Sequence, residues 1–174
     1  MKKSAINPMP EYFDRYIDLA DDVPVLEALA VSLYEIDHLK IADWKAMGDQ
    51  VYAPGKWTAK DIIQHIIDTE RIFAYRALSF ARQEPQRMLS YDEDWYGNHT
   101  NANQRSIADL VDEWRAVRLS TIALFRSFTP EMMLHNGKAF SGTYSPLAIG
   151  FILAGHQRWH FRVFKEKYLP LLGK

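Results

Sequence analysis

Two histidines four residues apart, His156 and His160, lie in the apolar and aromatic segment AGHQRWH. On a helix this spacing puts both imidazoles on one face, within reach of a single ion. An open catalytic metal site usually has three protein ligands, so the pair by itself is incomplete. The alternative interpretation is that both are hydrogen-bonded core histidines. A third ligand at a suitable position would favour the metal site.

His65, in the segment DIIQHIID, is the best candidate for that third ligand because it lies in a strongly apolar stretch of a long predicted helix. It lies about 10 Å along the helix from the predicted cap Thr58, while His160 lies about 13 Å before Leu169. If the two helices are antiparallel, these depths match to within a turn. The remaining histidines near helix ends or in loops are less suitable: His38, His99 and His135.

Two predicted helices occupy the first half of the sequence. The first follows DDVP, with an aspartate as cap, and repeats apolar residues at three- and four-residue steps. That stripe consists of Leu26, Leu29, Leu33 and Ile36. The second opens at Thr58 with Asp61 three positions on, the pattern of a capping box, and runs without Gly or Pro to about Arg82.

Two more helices are predicted in the second half. The third opens with Ser106 and Asp109, again at capping-box spacing. The fourth has Ser145 as cap and Pro146 at its first position, and Pro170 ends it. No stretch alternates with period two for long enough to predict a sheet.

The connection between the second and third helices, residues 83–105, is long for a compact domain. An extended chain covers about 3.3 Å per residue, so this segment can cross a whole bundle. It therefore allows helices two and three to run parallel, with helices one and four antiparallel to them. We predict an all-α four-helix bundle with one long crossover, a single domain over residues 1–174 with its core at about 16–169.

Three segments together resemble the DinB-like superfamily, including its YfiT-like metal-dependent hydrolases. They are APGKWTAKDIIQHIIDTERIFAYRALSFAR, YDEDWY and SPLAIGFILAGHQRWHFRVFKEKYL. The resemblance spans about residues 16–169 and rests on the KW(S/T) opening of helix two, the histidine that follows, and the H-x-x-x-H of helix four. It implies an up-down-down-up four-helix bundle with one metal ion on His65, His156 and His160. It also implies hydrolysis or transfer of a low-molecular-weight thiol, and a tendency to form homodimers.

Three neutral imidazoles leave open positions on a divalent ion. Such a site can lower the pKa of bound water toward about 7, or bind the thiolate of a cofactor. Because the sequence contains no cysteine, any thiol must come from outside the chain. Imidazole suits zinc, nickel, iron and copper alike, so the ligand type does not choose the metal; we expect zinc or nickel, and manganese or iron stay open.

Two residues near His65 are candidates to support the site. Asp68 and Thr69 follow it by three and four positions, so they border the same helix face and can orient an imidazole or a bound water. The alternative interpretation is an exposed acid and a core threonine.

Three further residues are candidates for a direct part in catalysis. Arg76, eleven residues after His65, can bind a substrate carboxylate or can extend outward to solvent. Asp92 and Asp94, in the YDEDWY segment of the crossover, are candidate acid–base groups, since long loops over a bundle often close an active site. A solvated turn is the alternative for this segment.

The charge and composition limit the classes of function. A formal net charge of −1 predicts no nucleic-acid or anionic-membrane partner. With no signal-peptide core and no membrane span in the sequence, we expect a soluble cytoplasmic protein, and a homodimer. A ferritin-like diiron site is rejected because the sequence lacks paired Glu-x-x-His motifs on two helices. The leading hypothesis is a metal-dependent enzyme acting on a small molecule; the alternative is a non-catalytic binding or assembly module with a structural metal or none.

Overall fold

The computed structural model describes residues 1–139 and 142–173. Its helices are α1 (Asp14–Ile17), α2 (Val25–Asp37), α3 (Ile41–Met47), α4 (Ala59–Ala81), α5 (Glu93–Asn98), α6 (Ile107–Arg126), α7 (Pro130–Leu134) and α8 (Pro146–Val163). Two strands, β1 (Gly137–Ala139) and β2 (Gly142–Tyr144), form an antiparallel pair. The prediction that the chain forms no sheet is therefore wrong. The two strands are too short to show an alternation of apolar and polar residues in the sequence.

The four long helices α2, α4, α6 and α8 form the bundle. Helix α4 packs against α6 and α8, and α2 packs against the same two helices. Near the start of α4, Thr58 bonds Asn103, and further along Arg71 pairs with Glu113. In both contacts the residue numbers increase in the same direction along the two segments. Helices α4 and α6 therefore run parallel, as the long crossover predicts.

The other pairs complete the topology. His65 near the start of α4 lies beside His156 near the end of α8, so these two helices are antiparallel. Val25 lies close to Gly150, and Ser32 accepts a bond from Gln157 through its carbonyl oxygen, so α2 and α8 are parallel. The order is up-down-down-up, and the predicted fold class is confirmed.

The predicted caps explain where three of the helices begin. The Thr58 hydroxyl accepts the Asp61 N–H while the Asp61 carboxylate accepts the Thr58 N–H, which completes the capping box of α4. The Ser106 and Ser145 hydroxyls cap α6 and α8 by accepting the Asp109 and Ala148 N–H groups. The Asp109 carboxylate, at capping-box spacing from Ser106, pairs with Arg105 at 2.6 Å. The caps are local interactions, so the sequence alone predicts them.

One predicted cap and one predicted helix end are wrong. Helix α2 begins directly after DDVP, as predicted, but Pro24 and not an aspartate occupies the cap position, and no side chain caps the helix. Asp21 pairs with Arg158 of α8 at 2.7 Å. Helix α8 ends at Val163 and not at Pro170. It continues as a π-helical segment, Phe164–Tyr168, and a 3-10 segment, Leu169–Leu172.

The crossover is an ordered cover over one side of the bundle. It contains α5 and a 3-10 turn, Ala102–Gln104. Near the end of the crossover, the Asn103 side chain forms hydrogen bonds with Thr58 and Asp61 at the start of α4. Near its beginning, the Met88 N–H donates to the carbonyl oxygen of Lys138 in β1. Within the described residues, none of the helices offers a stretch both long and apolar enough to traverse a bilayer.

Candidate metal centre

Three imidazoles meet between α4 and α8. The Nε2 atom of His156 lies 3.1 Å from Nε2 of His65 and 3.0 Å from Nε2 of His160. One ligand nitrogen from each ring lies within 4.8 Å of the other two. The structure therefore brings together the three histidines that the sequence singles out, although His65 and His156 are 91 residues apart in the chain.

A close approach of α1 to α8 positions the central imidazole. A Cβ atom on Gly155 would lie 1.7 Å from the Tyr16 carbonyl oxygen, so only glycine lets the two backbones come this near. The Tyr16 ring then packs edge-on against His156, with ring centroids 5.1 Å apart. On the α4 side, the Trp57 ring lies against His65 with centroids 4.6 Å apart. These contacts restrict the rotamers of two of the three imidazoles.

Burial keeps all three imidazoles neutral. Loss of hydration lowers the pKa of His65 to about 4 and the pKa of His160 to about 3. The pKa of His156 is also far below its ordinary value, first because of burial and then because of the neighbouring His160 and His65. Neutral imidazole is the form that binds a metal, so at neutral pH the cluster is ready to act as a ligand set.

The three histidines line the wall of a cavity of about 510 Å³. Its other walls come from α1, the start of the crossover and the middle of α4. Most of the lining is aromatic, including Phe13, Tyr16, Phe73, Tyr91 and Trp159. This is the usual character of a small-molecule site, an apolar cavity with a few convergent polar groups.

The fold and the cluster can be compared with known proteins. A sequence model of the DinB superfamily matches residues 14–164. The chain belongs to the DinB superfamily. Among solved structures, YfiT from Bacillus subtilis is similar, with a TM-score of 0.66 and 16% sequence identity over 90% of this chain and 85% of that one. YfiT is described as a probable metal-dependent hydrolase with an unusual four-helix bundle topology. A search of curated proteins found no match.

In this DinB-superfamily protein, Asp68 and Thr69 face different cavities. The Thr69 hydroxyl lies 2.5 Å from the Tyr91 hydroxyl, and both line the cavity of the three histidines. Asp68 is half-buried, accepts a bond from Gln64, and borders a separate cavity under α5. Burial raises its pKa. No hydrogen bond joins its carboxylate to any of the three imidazoles in the described chain.

Arg76 points inward and not out to solvent. Only 4% of the residue is exposed, and it lines the same cavity as the histidines. Its guanidinium donates to the Leu89 carbonyl oxygen at 2.8 Å and to the Tyr144 hydroxyl at 3.3 Å. The bond to Leu89 thus joins Arg76 to the crossover segment, whose next two residues, Ser90 and Tyr91, line the cavity.

The two crossover acids lie away from this cavity. Asp92 is exposed and caps α5, accepting the Trp95 N–H. Asp94 is also exposed and borders a smaller cavity of about 260 Å³, which shares His160, Trp57 and Trp159 with the main cavity.

The residues of the YDEDWY segment that do reach the main cavity are Tyr91 and Glu93. Neither residue was predicted from the sequence. Glu93 is itself an acid, but the sequence does not show which side chains of this segment border the cavity, because that depends on how the crossover lies against α4 and α8.

Proposed function

We propose that this protein binds one divalent metal ion through His65, His156 and His160, and that it is a metal-dependent enzyme acting on a small molecule by hydrolysis or thiol transfer. The observation that carries the proposal is the convergence of three neutral imidazole nitrogens on one wall of an apolar cavity. The similarity to YfiT supports it at the level of fold.

The spacing of the nitrogens suits a metal ion. With metal–nitrogen bonds of about 2.1 Å, two ligand nitrogens lie about 3.0 Å apart in an octahedral shell and about 3.4 Å apart in a tetrahedral one. The contacts of His156 Nε2 with the other two rings, at 3.1 Å and 3.0 Å, agree with such a set. We propose zinc or nickel as the metal; manganese and iron are the alternatives, since neutral imidazole does not choose among these metals.

The residues of the chain have distinct parts in this proposal. His65, His156 and His160 would hold the ion, and the cavity that they line would give a substrate access to it. An ion held there supplies Lewis acidity, which activates a water molecule or an external thiol for attack. The paired hydroxyls of Thr69 and Tyr91 orient the substrate by hydrogen bonds. Burial raises the pKa of Tyr91 to about 12, so its phenol stays protonated at neutral pH and can donate.

The crossover acids enter the proposal in a lesser way. Asp94 approaches His160 from the smaller cavity, and we propose it as the acid–base group in preference to Asp92, whose carboxylate is engaged as a helix cap. Asp68 is proposed to position the crossover cover indirectly, because it accepts from the Gln64 side-chain amide, whose oxygen in turn accepts from Arg105 at the end of the crossover.

The test is elemental analysis of protein purified without added metal, followed by X-ray absorption and a thiol-transfer screen. We expect one divalent ion per chain with three nitrogen ligands and at least one water or added thiol in the remaining positions. A closed shell of protein ligands would favour the alternative, a bundle with a structural metal. A metal-free protein whose zinc dissociation constant exceeds about 1 μM would contradict metal binding altogether.

The low pKa values predict unusual proton release. At about pH 6, three imidazoles with an ordinary pKa near 6.5 would be mostly protonated and would lose roughly two protons on binding a metal. Because the pKa values of His65 and His160 lie at about 4 and about 3, these rings are already neutral at pH 6. We therefore expect less than about half a proton released per zinc ion in calorimetry in two buffers of different ionisation enthalpy. Release of two protons would mean that the imidazoles are solvated in the metal-free protein.

The homodimer and the cytoplasmic location stay predictions. Light scattering coupled to size exclusion measures the first directly, since a dimer doubles the 20.2 kDa mass of the chain.

A further inference from the structure

In the part of the chain that the structure describes, Arg76 is a buried cation without an acidic partner. Arginine and the other charged residues are almost never fully buried unless they are paired, because removing a charge from water costs several kcal/mol. Yet no acidic side chain in residues 1–139 or 142–173 forms an ion pair with Arg76, and its two hydrogen-bond acceptors are neutral, the Leu89 carbonyl and the Tyr144 hydroxyl. By contrast, the equally buried Arg118 has Glu70 as a bidentate partner.

The guanidinium lies at one end of the cavity that holds the three histidines. His65, Thr69, Phe73 and Arg76 follow one another along one stripe of α4, and all four line this cavity. The stripe covers about 16 Å of helix axis, and long helical side chains lean toward the N-terminus, which here is the direction of His65. The cavity thus has an imidazole cluster at one end, an unneutralised cation at the other and aromatic walls between.

We propose that Arg76 binds the carboxylate of a small organic acid, so that the substrate of the proposed metal site is an anion with an apolar, aromatic or aliphatic body. This proposal rests on the proposed function for its catalytic meaning, but the binding itself requires no metal. A carboxylate supplies the missing counter-charge and accepts two parallel N–H bonds from a guanidinium. A single buried cation suits one negative charge better than the two of a phosphate ester. The body of the acid lies against Phe73, whose ring already has the guanidinium 4.8 Å from its centroid.

The charges around the cavity favour an anion there. Arg15 lies above the rings of Tyr12 and Tyr16, which belong to the cavity lining, at 3.7 Å and 5.0 Å from their centroids. The one acid of the lining is Glu93, which is exposed and forms no ion pair within the described residues. Glu93 therefore provides a control of opposite charge in the same cavity.

The experiment compares benzoate with its neutral isostere benzamide, by calorimetry or ligand-observed NMR, on the full chain treated with a chelator. Without metal, a carboxylate cannot bind through the ion, so a preference reports on Arg76 alone. We expect wild type to bind benzoate at least about tenfold more tightly than benzamide, and Arg76→Gln to lose that preference. Glu93→Gln should retain it or strengthen it. Circular dichroism checks that each variant is folded, and Arg76→Lys, which keeps the charge without the planar fork, should show a reduced preference.

Two results would overturn the proposal. One is a wild-type protein that binds benzoate no better than benzamide, including no binding of either. The other is a folded Arg76→Gln or Arg76→Lys protein whose preference equals that of wild type. Metal content is measured on the same variants and should remain that of wild type. A carboxylate preference in a protein that never binds metal would remove the proposed function while leaving the anion site intact.

Discussion

Replacing His160 by alanine is expected to weaken zinc binding by at least about a hundredfold and to abolish any metal-dependent activity. Loss of a residue that merely supports a ligand already costs 10–100-fold in affinity, so loss of a ligand itself should cost more. His160 supplies one of the three nitrogens, and its Nε2 lies 3.0 Å from that of His156. Only two imidazoles would remain. The measurement is a competition titration against a zinc chelator of known affinity.

The matched control for this variant is His38→Ala. His38 lies at the end of α2, is exposed, and stacks on Tyr34 with ring centroids 3.7 Å apart. The His38→Ala variant should bind zinc as tightly as wild type does. His65→Ala should lose zinc to the same extent as His160→Ala, because its nitrogen belongs to the same set. If either variant retained wild-type affinity, the metal would be bound elsewhere and the proposed function would have to be abandoned.

Replacing Arg118 by alanine is expected to lower the free energy of unfolding by about 3–5 kcal/mol, the largest effect on stability that we predict. The Arg118 guanidinium donates to both Glu70 carboxylate oxygens, at 2.8 Å and 2.9 Å, and also to the Ser32 hydroxyl. Both charged side chains are at most 1% exposed. The alanine variant would leave the Glu70 carboxylate buried without a counter-charge.

This ion pair lies where all four bundle helices meet. Ser32 belongs to α2, Glu70 to α4 and Arg118 to α6, while Gln157 of α8 donates to the Ser32 carbonyl oxygen. Gln157 is the chain neighbour of His156. Loss of the pair should therefore also loosen the support of the central imidazole.

Urea unfolding of chelator-treated protein measures the effect without the stabilisation that a bound metal adds. The control is Arg71→Ala, which breaks the pair with Glu113. The Arg71 side chain is 50% exposed, so its loss should cost at most about 1 kcal/mol. The double variant Glu70→Leu/Arg118→Met should recover most of the lost stability, since apolar residues of similar size can replace a buried ion pair. A cost below about 1 kcal/mol for Arg118→Ala would show that water reaches Glu70.

The sequence by itself determined the features that depend on near neighbours. The beginnings of α4, α6 and α8 follow from Thr58, Ser106 and Ser145, because a cap involves only the next three residues. The length of the crossover limited the topology, since a chain that long can join two parallel helices. The position of His65 on an apolar stripe, at the same depth as His160 on an antiparallel helix, was enough to select three histidines out of six.

Only the tertiary structure decided what depends on contacts between distant segments. Arg76 and Arg118 both interrupt apolar helix stripes, and a stripe cannot tell whether such a residue extends to solvent or turns inward. Arg76 turns inward to the Leu89 carbonyl, which is 13 residues away in the chain. Arg118 turns inward to Glu70, which is 48 residues away. The aspartate cap predicted within DDVP does not form, and Asp21 of that segment instead pairs with Arg158, 137 residues on. The local pattern specifies a helix and its buried face, but the partner that satisfies a buried charge is supplied by whichever segment the fold brings there.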